Sequence, residues 1–400
     1  MKIILKASSE EKNRAAYSTD ASQISGIALN VIIPKTIEEL QNSVRLAESI
    51  VPRGGGTGLV GGAVPQKNTI IDLSKLNKIL NIDINKKTAY VEAGIILNTL
   101  NNELEKYGLE FPVQPSSFSI CTIGGMIATN AVGSRAIKYG KTENWVQELE
   151  ILNSMGEMQK IPKPDVKDFA GMEGTTGIII KAKLNLVKKP KRRASLYEAK
   201  TKEEVIDAVK KLKSDNSVSM IELYDKFVSK LVGLEENYHL LVEFEGETEE
   251  ENQFKGTYKE LMEIRSKIYP YLAEKGYQII EDPKIFLDKF IQLAEFLESN
   301  HIPYYGHIGS GIIHPCFKPR QEKLAEAVIE FVKKSHGQIT GEHGIGLRKE
   351  KYLDETEKKL LRRVKERLDK NNKFNPGKLI TMEKPEQKEE KIEKGESQNE

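Results

Sequence analysis

The spacing of apolar residues in the first half of the chain changes repeatedly between a helical and an extended pattern. Residues 34–50, PKTIEELQNSVRLAESI, place apolar side chains at helical intervals behind an acidic first turn, which predicts a helix. Residues 96–108 follow the same pattern and end on a glycine that suits a helix C-terminus. Short apolar runs predict strands at residues 68–76, 86–94 and 177–187.

The second half of the chain alternates longer helical segments with strands. A basic, proline-bearing segment, KKPKRRAS at residues 188–195, separates the halves and predicts a domain boundary. We therefore expect an α+β protein with domains at residues 1–187 and 188–381, the second with an antiparallel sheet. The charged segment 382–400 predicts a disordered tail. Helices are predicted at 203–214, 254–276, 286–300, 321–337 and 355–372, and strands at 219–224 and 238–246.

Composition narrows the classes of function. A chain of 400 residues exceeds what one core usually supports, which again favours two domains. The net charge is only +2, so we expect neither nucleic acid nor an acidic membrane as the main partner. Cys121 and Cys316 are isolated, which excludes a disulfide framework, a CxxC zinc site and a Cys-ligated iron–sulfur cluster. The start, MKIILKASSE, has too short an apolar run for a signal peptide. No run approaches the roughly 20 apolar residues of a membrane span. We therefore expect a soluble, cytoplasmic protein.

Glycine dominates the stretch PRGGGTGLVGG, in which six of eleven residues are glycine. Gly56, Gly58 and Gly61 fit the G-x-G-x-x-G pattern of the Rossmann fold, which requires a strand before the glycines and a helix starting on them. A predicted helix precedes this stretch, with only residues 50–52 as a possible strand. Pro65 and a strand-like run follow it and leave no room for the dinucleotide helix, so the Rossmann assignment is excluded. A P-loop is excluded as well, because the stretch lacks Gly-Lys-Ser/Thr.

Two interpretations of this stretch remain, a structural surface loop and a phosphate-binding loop. Phosphate binding is favoured because successive bare N–H groups form an anion-binding nest, to which Arg53 adds charge and Thr57 a hydroxyl donor. Glycine recurs in residues 115–140, PSSFSICTIGGMIATNAVGSRAIKYG, and in residues 171–180, GMEGTTGIII. Close helix–strand packing is the structural alternative for the first of these segments.

Histidines are concentrated late in the chain, with five of six in residues 301–343. In YYGHIGSGIIHPCF, a two-residue hairpin loop at residues 310–311 would place His307 directly opposite His314, roughly 5 Å apart. Such a pair can bind a divalent cation, but an exposed pair in a hairpin fits the spacing equally well.

A glutamate and a histidine follow each other in GEHGIG, as Glu342 and His343. On an extended backbone, adjacent side chains point apart, so one can bind a metal while the other faces a substrate. The flanking glycines allow a ligand to approach closely. A surface pair is the alternative, and the glycines together with the earlier histidine pair favour a site.

The motifs now form an ordered series along residues 17–380. They are YSTDAS, PRGGGTGLVGGAVP, TIGGMIATNAVG with KYG, EGTTGII, LVEFEG, GHIGSGIIH, GEHGIG and NPGK. In this order and spacing they resemble the FAD-linked oxidase family of the vanillyl-alcohol oxidase and p-cresol methylhydroxylase type, and most closely its D-lactate dehydrogenase and glycolate oxidase branch. The resemblance implies a two-domain α+β flavoprotein. It would have a bipartite FAD-binding domain and a substrate, or cap, domain with an antiparallel sheet, whose C-terminal helices return to the FAD domain.

The resemblance also implies a noncovalently bound FAD, with the N–H groups of residues 53–58 on its pyrophosphate. The chain departs from the family pattern at Val132, where glycine is common, and at Thr176, where leucine is common. The residues implied along the cofactor are Pro52, Arg53, Gly54, Gly55, Gly56, Thr57, Gly58, Pro115, Ser116, Gly124, Gly125, Thr129, Asn130, Gly174, Ile179 and Asn375.

By the same resemblance, His307, His314 and Glu342 are ligands of a divalent metal. Zinc is expected first, although manganese or iron would also fit. His343 is then the base near the flavin, and Arg265 is the clamp for a substrate carboxylate. From its own sequence context, Arg265 is equally compatible with an exposed helix surface.

The implied reaction is oxidation of a D-2-hydroxy acid, such as D-lactate or glycolate, to the 2-keto acid with hydride transfer to flavin N5. Electrons would leave to a quinone, a cytochrome, an electron-transfer protein or oxygen. Two alternatives stay open, namely oxidation of a sugar or alditol, and a non-catalytic flavin-carrying subunit of a larger oxidase complex. Ser310 and Ile312 replace the Asp and Asn of the family pattern H-x-G-D-G-N-x-H, which leaves the substrate open.

Overall fold

The structure is a computed structural model that describes residues 11–246 and 257–382. The apolar start of the chain and the predicted tail lie outside the described residues, apart from residue 382, and so do the first residues of the helix predicted at 254–276. None of the described helices is long and apolar enough to cross a membrane.

Two main sheets form the first half of the chain. A parallel sheet has the strand order β1-β3-β2, and an antiparallel sheet has the order β4-β5-β9-β7-β8. The strands are β1 (Ile27–Ile32), β2 (Ile50–Arg53), β3 (Gln66–Asp72), β4 (Ile79–Asp83), β5 (Thr88–Glu92), β6 (Leu109–Glu110), β7 (Val146–Leu152), β8 (Met158–Pro162) and β9 (Ile178–Asn185). The helices are α1 (Glu11–Ala16), α2 (Ile37–Leu46), α3 (Leu97–Glu105), α4 (Ile123–Ala128) and α5 (Ala136–Tyr139).

The glycine stretch connects β2 directly to β3, with no helix between them. This confirms that the chain has no Rossmann fingerprint at this position. The helix predicted at residues 34–50 ends at Leu46, and its last predicted residues begin β2. Ile50 and Val51 are β-branched and Pro52 cannot continue a helix, so an extended conformation is favoured there.

An antiparallel sheet of six strands organises the second half, as predicted, with the order β11-β13-β12-β15-β16-β14. Helices α6, α9 and α10 pack on one face, and α7 and α8 pack on the other. The strands are β10 (Val187–Lys188), which pairs with β6, β11 (Arg192–Ala199), β12 (Val218–Tyr224), β13 (Tyr238–Glu245), β14 (Ile279–Ile280), β15 (Tyr304–Gly306) and β16 (His314–Phe317). The helices are α6 (Lys202–Lys213), α7 (Lys226–Leu231), α8 (Tyr258–Glu274), α9 (Phe290–Ser299), α10 (Glu322–Lys334) and α11 (Glu355–Leu368).

A buried ionic network joins the two halves. Arg135, just before α5, binds Glu243 of β13 through two bonds, with Nε to Oε1 at 2.7 Å and Nη2 to Oε2 at 2.9 Å. Arg192 of β11 binds Glu110 of β6 at 2.9 Å and Glu245 of β13 at 3.0 Å. Bidentate pairs of this kind restrict orientation as well as distance. The network therefore fixes how the six-stranded sheet sits against the first half.

The C-terminal segment packs against the parallel sheet. Ile50 donates its N–H to the carbonyl of Lys373 at 2.8 Å, and Asn375 returns a bond to the carbonyl of Ile50 at 2.6 Å. Lys365 of α11 is fully buried, and its ammonium binds Asp369 at 2.7 Å. A buried cation is tolerated because this carboxylate neutralises it. The domain boundary at residue 188 remains a prediction.

Asp225 at the start of α7 makes stability depend on pH. The buried carboxylate accepts N–H bonds from Val228 at 2.6 Å and Tyr304 at 2.9 Å. Burial raises the pKa of Asp225 from the ordinary 3.8 to about 7. Between these values the folded protein holds a proton that the unfolded chain has lost. The contribution of this proton to the free energy of unfolding is therefore fully present below about pH 4 and is lost as the pH rises through 7.

We predict that Asp225→Asn removes this pH dependence. Relative to the variant, the wild type should lose unfolding free energy between pH 5 and 7, with a slope approaching about 1.4 kcal/mol per pH unit. Urea unfolding of both proteins at several pH values measures the slope as a difference, so other titrating groups cancel. Parallel pH profiles for the two proteins would contradict the assignment.

Candidate active site

Residues 340–346, called here the 340–346 loop, wrap around one carboxylate oxygen. The oxygen is Oδ2 of Asp282, which follows β14. Its donors are the hydroxyl of Thr340 at 2.7 Å and the N–H groups of Gly341 at 3.0 Å, Glu342 at 2.7 Å and His343 at 2.7 Å. The other oxygen, Oδ1, pairs with the buried ammonium of Lys349, whose Nζ lies 2.8 Å from Glu281. The loop is therefore bent, with its N–H groups directed inward.

This bend brings the Glu342 and His343 side chains together. Nε2 of His343 lies 3.3 Å from Oε1 of Glu342. The prediction that the two side chains point apart is wrong, because it assumed an extended backbone, whereas the N–H groups of both residues converge on Asp282. Both residues consequently take part in one cluster.

The predicted histidine pair is also close, with the ring centroids of His307 and His314 5.1 Å apart. The predicted hairpin register is wrong. The ladder between β15 and β16 pairs Tyr305 with His314, and residues 308–310 form a 3-10 turn that ends on Gly311 in the left-handed conformation. His307 therefore lies beyond the ladder, and its ring reaches His314 from the loop.

Three potential metal-ligand atoms converge at this point. Nε2 of His307 lies 3.5 Å from Oε2 of Glu342, and Nε2 of His314 lies 3.2 Å from Oε1 of the same residue. One ligand atom from each of the three residues lies within 4.8 Å of the others. Two imidazole nitrogens and one carboxylate oxygen suit a divalent transition metal such as zinc and leave coordination positions open.

The Nδ1 atoms of His307 and His314, on the ring edge away from Glu342, also have acceptors that orient the two imidazoles. Nδ1 of His307 lies 2.5 Å from the carboxylate of Glu222, and Nδ1 of His314 lies 3.2 Å from the main-chain oxygen of Glu281. An acceptor at Nδ1 favours a proton there, so Nε2 is the ring nitrogen directed at Glu342, and it can offer its lone pair to a metal once its own proton has left. The donor set thus fits a metal ion.

Electrostatics within the cluster are strong. Burial opposes charge on each group, but the attraction between opposite charges exceeds it. Glu222 and Glu342 raise the pKa of His307 to about 10, and His307 in turn lowers the pKa of Glu342 well below its ordinary value. A divalent cation would replace the proton on His307 as the positive charge, so binding it would release a proton.

His343 completes the cluster. Its Nδ1 lies 3.4 Å from Oδ1 of Asp282 and is buried, without a hydrogen-bond partner among the described residues. Its ring stacks on His314, with centroids 5.5 Å apart. Burial opposes protonation, but attraction to Asp282 and Glu342 raises the pKa of His343. The imidazole is therefore placed to hold a proton beside the ligand atoms.

Arg265 of α8 points into the same region. Its Nε lies 3.4 Å from Glu222, and its Nη2 lies 3.4 Å from the hydroxyl of Ser116. The side chain is 20% exposed, and its buried Nε has no hydrogen-bond partner among the described residues. The structure thus contradicts the exposed helix-surface alternative and brings Arg265 between the histidine cluster and a predicted cofactor segment.

The glycine segments also meet in space. A Cβ on Gly54 would lie 2.3 Å from Thr122 Oγ1, one on Gly55 would lie 2.5 Å from the Ile120 carbonyl, and one on Gly174 would lie 3.4 Å from Pro52. Glycine at residues 54 and 55 lets the first two segments pack closely, whereas Gly174 contacts Pro52 at an ordinary distance and needs glycine for its φ of +70°. A Cβ on Gly58, by contrast, would meet nothing within 4 Å. Bare main chain therefore borders open space there, which fits close approach of a cofactor.

Three predicted cofactor residues have their side chains engaged within the protein. The guanidinium of Arg53 donates to the carbonyls of Thr19 at 2.9 Å and Ala63 at 3.3 Å, so it braces the glycine stretch. Ile179 packs in the core of the five-stranded sheet. The Asn375 amide donates to the carbonyls of Gly62 and Glu173. Any cofactor contact from Arg53 or Ile179 would therefore come mainly from the main chain.

Sequence reasoning missed two carboxylates that organise the site, Glu222 and Asp282. Glu222 is the only charged residue in the strand segment SMIELY, and a lone carboxylate in a buried strand was the available signal. Asp282 lies in EDPKIF, where nothing local indicates that its partners lie some 60 residues further along the chain.

Comparison with known families covers both halves. Residues 28–162 match the family model of the FAD binding domain, and residues 188–379 match that of the C-terminal domain of FAD linked oxidases. Among solved structures, alkyldihydroxyacetonephosphate synthase has a TM-score of 0.69 at 18% identity, covering 94% of this chain and 82% of that one. Fold and domain content together define an FAD-dependent oxidoreductase.

Relatives with named activities indicate the branch of the family. The glycolate oxidase subunit GlcD of Bacillus subtilis is 31% identical, over 92% of this chain and 93% of the relative. The D-lactate dehydrogenase of Archaeoglobus fulgidus is 29% identical, over 88% of this chain and 91% of the relative. The D-2-hydroxyglutarate dehydrogenase of Stutzerimonas stutzeri is 26% identical, over 88% of this chain and 90% of the relative. The chain belongs to the FAD-linked oxidase family, in the branch of these hydroxy-acid dehydrogenases.

The donor geometry predicts Zn²⁺ binding that depends on the cluster. His314→Ala should weaken Zn²⁺ affinity more than about 100-fold, and Glu222→Gln should weaken it about 10- to 100-fold, because Glu222 orients His307 from outside the ligand set. Competition with a chromophoric chelator measures both. His336→Asn is the matched control, because His336 is exposed and asparagine tolerates its positive φ. Equal affinity in all four proteins would contradict the site.

Proposed function

We propose that the protein is an FAD-dependent dehydrogenase that oxidises a D-2-hydroxy acid, D-lactate, glycolate or a close analogue, to the 2-keto acid. The observation that carries the proposal is the convergence of His307, His314 and Glu342 next to His343. These groups offer a three-ligand metal site and an adjacent proton acceptor in one partly enclosed region. The relatives named as hydroxy-acid dehydrogenases and as a glycolate oxidase subunit support the same substrate class.

The three ligand residues would hold one divalent metal, for which zinc is the first choice. When bound, the metal supplies positive charge that favours loss of the substrate hydroxyl proton. Asp282 favours a proton on Nδ1 of His343, which leaves Nε2, on the side of Glu342, to accept the hydroxyl proton. His343 is thus the proposed base.

Arg265 is the proposed carboxylate clamp. Its guanidinium carries a permanent charge, and Glu222 holds it from one side. Its two terminal Nη atoms lie in one plane and can bind the two oxygens of a carboxylate, which orients a hydroxy acid in a way that a sugar or alditol would not require. The clamp therefore favours a hydroxy acid over an alditol.

FAD would lie along the meeting glycine segments and accept two electrons when bound. The N–H groups of residues 53–58 would face the pyrophosphate, because glycine leaves that main chain accessible. Ser116 contacts Arg265 directly, so the segment that begins at Pro115 would connect the cofactor to the clamp. The electrons would pass onward to a quinone, a cytochrome, an electron-transfer protein or oxygen.

Anaerobic flavin reduction tests the proposal. The purified protein should be yellow and should bleach with D-lactate, glycolate or D-2-hydroxyglutarate, but not with L-lactate or an alditol. Absorbance at the flavin band is the measurement. Bleaching by alditols alone would establish the sugar-type reaction instead, and a flavin that no donor reduces would indicate a non-catalytic subunit.

We predict that His343→Ala retains FAD but slows anaerobic bleaching by at least about 100-fold, the scale expected when a general base is lost. Stopped-flow absorbance measures the rate at saturating substrate. His336→Asn, which changes an exposed histidine, should bleach at the wild-type rate. A wild-type rate in His343→Ala would remove this residue from the proposed role.

The open space at Gly58 generates a further prediction. Gly58→Val places a side chain where the protein has no atom within 4 Å of the Cβ position, so the FAD-free variant should unfold near the wild-type temperature. FAD affinity, measured by recovery of flavin fluorescence quenching, should fall at least about tenfold if the cofactor uses this space. Unchanged affinity would exclude Gly58 from the cofactor site.

A further inference from the structure

Two buried carboxylates, those of Asp282 and Glu173, bind the main chain of the 340–346 loop. Glu173 has no part in the proposed chemistry. Asp282 binds the first half of the loop. Glu173 lies in the third glycine segment, residues 171–180, where residues 52–62 are the first segment and 115–140 the second. It binds the second half of the loop, because its carboxylate accepts hydrogen bonds from the N–H groups of Ile345 at 2.6 Å and Gly346 at 2.9 Å. Glu173 is only 5% exposed, so water does not compete effectively for these bonds.

Glu173 belongs to the third glycine segment, and its backbone is bonded directly to the second segment and, through Asn375, to the first. Its N–H donates to the carbonyl of Ala128 at 2.7 Å, and its own carbonyl accepts the Asn375 amide at 2.7 Å. The same amide donates to the carbonyl of Gly62 at 2.9 Å. Glu173 also has φ +51°, a left-handed conformation that glutamate rarely adopts and that the surrounding bonds maintain.

Packing leaves the carboxylate little freedom. A Cβ on Gly344 would lie 2.6 Å from Oε1 of Glu173, so the loop approaches the carboxylate as closely as glycine permits. Gly344 has φ +88°, which also requires glycine. A shift of the third glycine segment would therefore be transmitted through Glu173 to the residues that follow His343.

We propose that Glu173 is a positioning residue that couples the flavin-binding segments to the 340–346 loop, so that FAD occupancy orders the loop that carries Glu342 and His343. The inference rests on the proposed function for the place of FAD and for the roles of Glu342 and His343. Because the ordered loop holds the ligand Glu342 in place, bound FAD also raises the affinity of the histidine cluster for Zn²⁺, within the usual range of about 5- to 150-fold, and bound Zn²⁺ raises the affinity for FAD by the same factor.

Amide hydrogen exchange of the FAD-free and FAD-loaded protein tests the coupling. Loading with FAD is expected to slow exchange at Ile345 and Gly346 at least about 5-fold relative to the core amides of β13. Normalising to β13 removes any general stabilisation by the ligand. Exchange at the loop that is independent of FAD in the wild type overturns the proposal.

The decisive variant is Glu173→Gln, which keeps the shape of the side chain but offers one acceptor oxygen to two N–H groups. The FAD-dependent protection at Ile345 and Gly346 is expected to disappear in this variant. Asp225→Asn is the matched control, because Asp225 is equally buried and accepts two N–H bonds, but from Val228 and Tyr304. The control retains the protection, whereas retention in Glu173→Gln overturns the proposal.

A second readout remains if Glu173→Gln does not fold. The affinity of the wild type for Zn²⁺ alone, measured with and without FAD, is expected to rise with FAD, and equal affinities contradict the coupling. Failure of the proposed function gives a different result, because the flavin would then not be reduced by any hydroxy acid. The exchange comparison requires only that FAD binds, so it decides the role of Glu173 in either case.

Discussion

One carboxylate oxygen, Oδ2 of Asp282, determines where the reactive side chains stand. It collects three successive main-chain N–H groups and one hydroxyl, and so bends the 340–346 loop until the side chains of Glu342 and His343 meet. Burying this anion would be costly without a counter-charge, and Lys349 supplies it. Without the Asp282 carboxylate, the N–H groups of the loop would lose their acceptor, and Glu342 would no longer be held beside the histidines.

The histidine cluster depends on a surrounding layer of acceptors. Glu222 and the main chain of Glu281 occupy Nδ1 of the two histidines and direct both Nε2 atoms toward Glu342. Glu222 also pairs with Arg265, whose guanidinium it holds in place. One buried carboxylate thus sets the orientation of a proposed ligand and the position of the proposed clamp, so substitutions at Glu222 would affect metal binding and substrate binding together.

Much of the architecture could be predicted from the sequence. The antiparallel sheet of the second half and its helices follow from apolar periodicity, which acts over a few neighbouring residues. The exclusion of a Rossmann fingerprint follows from the strand-like run, rather than a helix, after the glycines. The hairpin register around His307 could not be predicted. Gly311 adopts a left-handed turn closed by bonds to the preceding 3-10 residues, and that choice depends on packing against Ile285, whose carbonyl lies 2.4 Å from where a Gly311 Cβ would be.

The sequence by itself determined the residue types of the site, namely the glycine segments, the late histidines and the Glu-His pair, because these are local properties of the chain. Tertiary structure alone decided their arrangement. Asp282, Glu222 and Glu173 act on residues far away in the chain, and most of their partners are main-chain N–H groups or single imidazole nitrogens, which leave no signature in a sequence. These hydrogen bonds join residues that are distant in the chain and close only in the folded protein, and for that physical reason the geometry of the site could not be derived from the sequence.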